Sequence, residues 1–172
     1  MLLVDATRIR LVFAGVLLLL VASCAGGENI TPSMLKAAKT RWEAANIHDY
    51  ELEWASSGPT NARYIATVRE GKVSAVEGIA PDGRRYTVKP AEPRYYGVEG
   101  LFLVIADELA QLDLNTPFGR PKGSRAVLKF TADPKYGFPR RYRRDVVGAP
   151  VALGIDVIRF EPKTATDGSN AR

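Results

Sequence analysis

The chain has 172 residues, 46% hydrophobic and 25% charged, with a formal net charge of +5. That is ordinary for one globular domain, and it excludes a low-complexity or disordered chain. One cysteine and one histidine exclude a disulfide framework and a zinc centre made from those residue types.

Residues 1–23 read as a signal peptide. Arg8 and Arg10 make a positive start, offset by Asp5, and residues 11–22 are an unbroken apolar run. The run is shorter than the ~20 residues of a spanning helix, and small residues follow it, as at secretory cleavage sites. Val21-Ala22-Ser23-Cys24 resembles a lipobox, where diacylglycerol is attached to the cysteine before cleavage ahead of it. Cys24 is therefore the expected lipid-attachment residue, and a bilayer held through acylated Cys24 is the expected partner. Two acyl chains suffice for stable anchoring. Residues 24–30 are expected to be a lipidated tether reaching at most ~3.5 Å per residue. The address is the periplasmic or cell-surface side of a bacterial membrane. Without Arg8, Arg10 and Asp5 the mature part carries +4, a mild balance that favours anionic surfaces.

Residues 31–162 are expected to form one domain, followed by a polar, disordered tail over 163–172. Thr31-Pro32 supplies an N-cap and a first-turn proline, with Ile30 and Leu35 spaced for a hydrophobic staple. Leu35, Ala38, Trp42 and Ala45 then share one helical face, and the helix should end near residues 46–48. His48 lies in that last turn, where a cation suits the helix dipole. Tyr50, Leu52 and Trp54 alternate with Glu51 and Glu53, the period of a strand.

Residues 62–69 and 72–78 flank Glu70-Gly71 as a hairpin. Regular pairing from Arg69 and Lys72 to Ala66 and Ala75 places Tyr64, Ala66, Val68, Val73 and Ala75 in the core, leaving Ile65 and Val76 on the wet face. Pro81-Asp82-Gly83 turns the chain into a short strand over 84–88. Residues 90–96 read as loop, because two prolines oppose helix. Arg94, Tyr95 and Tyr96 in that loop form a basic, aromatic group suited to ligand contact by stacking and charge. Val98, Leu101, Phe102, Ile105 and Leu109 predict a second helix over 97–112. Leu103, Val104 and Ala106 widen its apolar face, which predicts deeper burial than the first helix.

Ala126, Leu128 and Phe130 mark a half-buried strand. The stretch from Asp133 to Pro139 reads as a hairpin crown, with Asp133 bonding backbone amides and Gly137 free to take a positive φ. In the return strand over 140–145, Arg140 and Arg144 lie with Tyr142, and Arg141 and Arg143 lie opposite. So much charge predicts an edge strand guarded against pairing. Tyr136, Arg140 and Arg144 are the candidate ligand contacts here. Residues 154–160 form a last strand. Helix followed by strands, written twice, predicts an α+β domain: an antiparallel sheet with two helices packed on one face, in two helix-then-strands halves. A cystatin-like or nuclear-transport-factor-like cone, a curved sheet wrapping a helix, is the alternative.

Asp133-Pro134-x-Tyr136-Gly137-x-Pro139 stands with Trp42 ahead of Tyr50, a Glu70-Gly71-Lys72-Val73 turn, and Val98 with Leu101-Phe102. Together they resemble the pattern of a family of bacterial lipoproteins that share a domain of unknown function. The resemblance spans roughly residues 35–160 and implies a fold without a mechanism. Arg144 departs from that pattern, standing where the family carries an aliphatic residue, which predicts a more exposed return strand.

Gly97-Val98-Glu99-Gly100 has the wrong spacing for a phosphate loop. A Ser-His-Asp triad would have to use His48. Asp133, Asp145 and Asp156 are the carboxylates available for acid chemistry, and the first two already have turn and strand-end roles. No catalytic residue, metal or cofactor is therefore assigned. The expected function is a non-enzymatic binding or structural module of the cell envelope, contacting an envelope protein or an anionic polymer and no nucleic acid. The alternatives are an enzyme acting on an envelope polymer through acids such as Asp133 or Asp145, and an inhibitor-like protein-binding domain, the latter by fold analogy alone.

Overall fold

The computed structural model describes residues 27–58, 61–114, 116–119, 125–148 and 152–163. The leader, Cys24 and the tail beyond Lys163 lie outside them. Helix α1 (Pro32–Ala45) starts as its sequence asks: Met34 N–H donates to Thr31 Oγ1 at 3.2 Å, with Pro32 in the first turn. It stops where Asn46 takes left-handed backbone, φ 50°, a conformation Asn tolerates at helix ends. Helix α2 (Val98–Ala110) tightens into a 3-10 turn over Gln111–Asp113.

Among the described residues there are eight strands: β1 (Glu28–Asn29), β2 (Tyr50–Ser57), β3 (Ala62–Arg69), β4 (Lys72–Ile79), β5 (Arg85–Val88), β6 (Ala126–Ala132), β7 (Pro139–Val146) and β8 (Leu153–Pro162). They make one antiparallel sheet in the order β1-β6-β7-β8-β2-β3-β4-β5. The α+β class and its two halves are thus present. β2 to β5 follow α1, β6 to β8 follow α2, and the halves join where β8 pairs with β2. Both helices lie on one face. Leu35 and Trp42 of α1 and Leu101, Phe102 and Ile105 of α2 are buried in one cluster with Leu52, Val68, Leu128, Phe130 and Ile155 of the sheet. Each such side chain contributes roughly 1.5–3 kcal/mol when fully buried.

The opposite face of the sheet is a ladder of ion pairs. Glu53, only 6% exposed, lies between the guanidinium groups of Arg63 and Arg159. Arg159 also reaches Glu51 and Glu161. Arg141 and Arg143 converge on Asp156. Burial alone would raise the Asp156 carboxyl, but hydrogen bonds from Arg143 and Arg141 and their charge outweigh it and hold it below the usual range. Two of the four arginines in β7 therefore share one carboxylate.

Several expectations need correction. β7 is not an edge strand; it lies between β6 and β8, and the edges are β1 and β5. Arg141, Arg143 and Arg144 meet carboxylates on the neighbouring elements, while Arg140 is exposed. The β3–β4 hairpin starts in the expected register, but a bulge at Ser74 pairs Thr67 with Ala75 and Ala66 with Val76. Val76 is thereby buried and Ala75 exposed. Ile65 is also buried, between Glu53 and Glu77 as cross-strand neighbours. Residues 27–30 are not free tether: Glu28 and Asn29 pair with Phe130 and Lys129, and Ile30 N–H donates to Leu128 O at 2.9 Å. Pro93–Tyr96 is a 3-10 turn within the expected loop, with the proline in its first turn. Lys163 belongs to the fold, its N–H donating to Asp49 O at 2.8 Å.

Two carboxylates tie α2 down at its two ends. At the first turn, Trp42 Nε1–H and the Tyr50 hydroxyl donate to Glu99 at 3.0 and 2.9 Å, and Val98 N–H donates to the Tyr50 oxygen at 2.9 Å. A carboxylate there also suits the helix dipole. Near the last turn, the Tyr142 hydroxyl and Arg144 donate to Glu108 at 2.7 and 2.6 Å. The Arg144 guanidinium lies 4.6 Å from the Phe118 ring centroid. Arg144 is therefore not the exposed residue expected: its side chain is 22% accessible and points toward α2. Among the described residues, no buried side-chain nitrogen or oxygen lacks a hydrogen-bond partner.

Burial, and then the adjacent carboxylate, push both the Tyr50 and the Tyr142 hydroxyl well above the ordinary tyrosine range. Above about pH 10 the unfolded chain loses these protons while the native protein keeps them. Their stabilising contribution, complete below pH 10, must then decline at about 1.4 kcal/mol per pH unit for each tyrosine. Urea unfolding between pH 9 and 11.5 should show this decline, and Tyr50→Phe should remove one tyrosine's share of the slope.

Candidate functional site

α1 and α2 lie over the same face of the sheet, and Trp42 near the end of the first meets Glu99 at the start of the second. They do not close over one another. A groove of about 910 Å³ lies between them, lined by Leu35, Ile47, Phe102, Leu103, Ala106 and Leu109, with Lys36, Lys39, Glu43 and Asp113 among the polar groups of its wall. Its size and apolar lining are those of a binding cleft. As expected, α2 is buried more deeply than α1, with Val98, Gly100, Leu101, Phe102 and Ile105 buried in α2 compared with Leu35, Ala38 and Trp42 in α1, but the groove leaves part of its widened apolar face uncovered. Leu103 and Ala106, which widen the apolar face of α2, are not buried; Leu103 is 44% exposed and Ala106 is exposed beside it. The excess apolar surface of α2 faces the groove instead of the sheet.

A second cavity of about 420 Å³ lies beyond α2, among Trp54, Tyr95, Tyr96, Leu101, Val104 and Leu153. Near it, Gly100 lets the 3-10 turn touch the helix: a Cβ on Gly100 would stand 2.6 Å from the Tyr95 carbonyl carbon. Trp54 Nε1–H donates to Tyr96 O at 3.1 Å, and the Trp54, Tyr64 and Tyr96 rings pack at centroid distances of 5.0 to 5.9 Å. Burial first, then the neighbouring Tyr96 and Tyr86, raise the Tyr64 hydroxyl.

The residues proposed from the sequence as ligand contacts are thus divided. Tyr95 and Tyr96 come together at the second cavity. Arg94 stands at its margin, exposed, paired with Glu92 at 2.8 Å and 5.0 Å from the Tyr95 ring centroid. Tyr136 belongs to the hairpin crown, 5.6 Å from the Phe160 ring. Arg140 is exposed beside that crown, as the extra residue of a bulge. Arg144 is committed to Glu108. No single site collects them.

Asp133 and Asp145 do not converge. Asp133 Oδ1 accepts from the Lys135 and Tyr136 amides at 3.0 and 2.8 Å. Asp145 is exposed and pairs with Val127, at the other end of the hairpin. Six strand residues separate the two ends, about 20 Å. His48 lies past the end of α1, exposed, with Nε2 3.1 Å from Asn46 Oδ1. Among the described residues, no three His, Cys, Asp or Glu side chains are grouped to hold a metal ion, and no helix is long and apolar enough to cross a membrane. A scan against protein-family models gives no match, and a search of curated proteins gives no match either.

Proposed function

We propose that this chain is a membrane-anchored bacterial lipoprotein whose folded domain is a non-enzymatic binding or structural module of the cell envelope. The observation that carries this reading is the position of the one cysteine, Cys24, directly after an apolar run and Val21-Ala22-Ser23. The domain supports it in two ways. The interior carboxylates and tyrosines that would invite a catalytic reading are occupied in holding α2 to the sheet. The groove between α1 and α2 supplies an apolar surface suited to binding. An envelope protein or an anionic polymer is the partner proposed.

Mass spectrometry of the N-terminal peptide from a bacterial membrane fraction tests the reading. The expected result is a chain that begins at Cys24 and carries diacylglycerol. Cys24→Ala should abolish both the modification and the cleavage. An unmodified mature N-terminus, or wild-type protein released to the medium, would overturn it.

A further inference from the structure

We propose that the crown of the β6–β7 hairpin, with the cations around it, is the end of the domain that contacts anionic phospholipid headgroups; this rests on the reading of Cys24 as the lipid-bearing residue. The direction of the chain supplies the first argument. β1 runs antiparallel to β6, so going back from Asn29 through Glu28 leads from Lys129 toward Phe130 and the crown. Gly27 continues that path: a Cβ there would lie 3.0 Å from Thr131 Oγ1. The N-terminal segment therefore leaves the fold at the crown end. Cys24 precedes Gly27 by three residues, which span at most about 10 Å. That is close to the ~8 Å screening length at physiological ionic strength, so charges at this end lie within the field of an anionic surface.

Charge supplies the second argument. Lys135 sits at the tip of the crown, Arg140 is extruded by the bulge between the Thr131–Arg141 and Ala132–Pro139 pairs, and Arg41 lies where the crown meets α1. All three are exposed, and none makes a salt bridge among the described residues. Two carboxylates stand against them. Asp133 is turned into the crown by its backbone hydrogen bonds, and Glu28 is exposed on the edge strand. The outer sheet face offers a poorer fit to anions, because Arg141, Arg143, Arg63 and Arg159 already hold carboxylates. Tyr136 adds an aromatic ring at the tip, under the Lys135 ammonium at 4.6 Å, a residue type that favours the bilayer interface.

The test uses acylated protein purified from membranes and placed in vesicles of phosphatidylcholine alone or with one-third phosphatidylglycerol. Lysine acetylation is read by mass spectrometry. Lys135 should label at least about fivefold more slowly on the anionic vesicles, one cation near such a surface giving roughly that factor. Lys89, exposed beside the far edge strand β5, should label equally on both. Arg140→Glu should restore much of the Lys135 labelling without changing the fold. Equal labelling of Lys135 on both vesicles, with acylated Cys24 found in the same digest, overturns the proposed orientation and leaves the anchor standing. A digest without acylated Cys24 overturns both.

Discussion

Gly137→Ala should lower the unfolding free energy by about 3–5 kcal/mol, combining a left-handed backbone penalty with overpacking. Gly137 has φ +85°, and a Cβ there would stand 2.9 Å from Arg41 Cβ and 3.0 Å from Trp42 N, with Ala38 O closer still. The obstacle is helix backbone, which cannot rotate away as a side chain would. The crown or α1 must move, and Trp42 and Phe138 leave their packing with it. Gly83→Ala provides the comparison. Gly83 has nearly the same φ, +83°, and open space where its Cβ would go. It should cost only the conformational penalty, about 1–2 kcal/mol. Urea unfolding of both variants measures the difference. Equal midpoints would mean that the crown does not press on α1.

The second large effect belongs to Glu108. Glu108→Ala should cost about 3 kcal/mol, because it strands the Arg144 guanidinium and the Tyr142 hydroxyl in a largely buried place. The lower end of the range for buried pairs applies, since Arg144 is 22% and Glu108 15% accessible. Adding Arg144→Leu to that variant should recover most of the loss, because an apolar side chain leaves no uncompensated charge. Thermal or urea unfolding of the two single variants and the double variant closes the cycle. If Arg144→Leu fails to rescue, the charge itself is not what Glu108 serves.

Much of the fold was legible because its residues obey local rules. Thr31-Pro32 marks the start of α1, Tyr50, Leu52 and Trp54 mark β2, and Asp133 with Gly137 marks the crown. Five of the residues that carry the resemblance, Trp42, Tyr50, Val98, Leu101 and Phe102, are core. Their grouping has a structural reason, the packing of both helices on the sheet. The misreadings share one cause, that tertiary neighbours override local pattern. Nothing near Ser74 announces the bulge that turns Val76 inward. Arg144 reads as an exposed charge until Glu108, 36 residues earlier, is brought beside it. The groove had a visible signal in the breadth of the apolar face of α2, but breadth alone does not separate a buried helix from one with an uncovered flank. The second cavity needs Tyr95 and Tyr96 to meet Trp54 across 42 residues, a distance no local pattern spans.

The place of β8 has a consequence for how the molecule comes into being. This strand lies at the middle of the sheet yet comes after the other described strands in the chain, and it pairs with β2 across more than a hundred residues. Strands β6 and β7 are not joined to β2 through the middle of the sheet until it arrives, and contacts between such distant partners form slowly. A growing polypeptide of this design cannot complete its sheet until β8 has emerged.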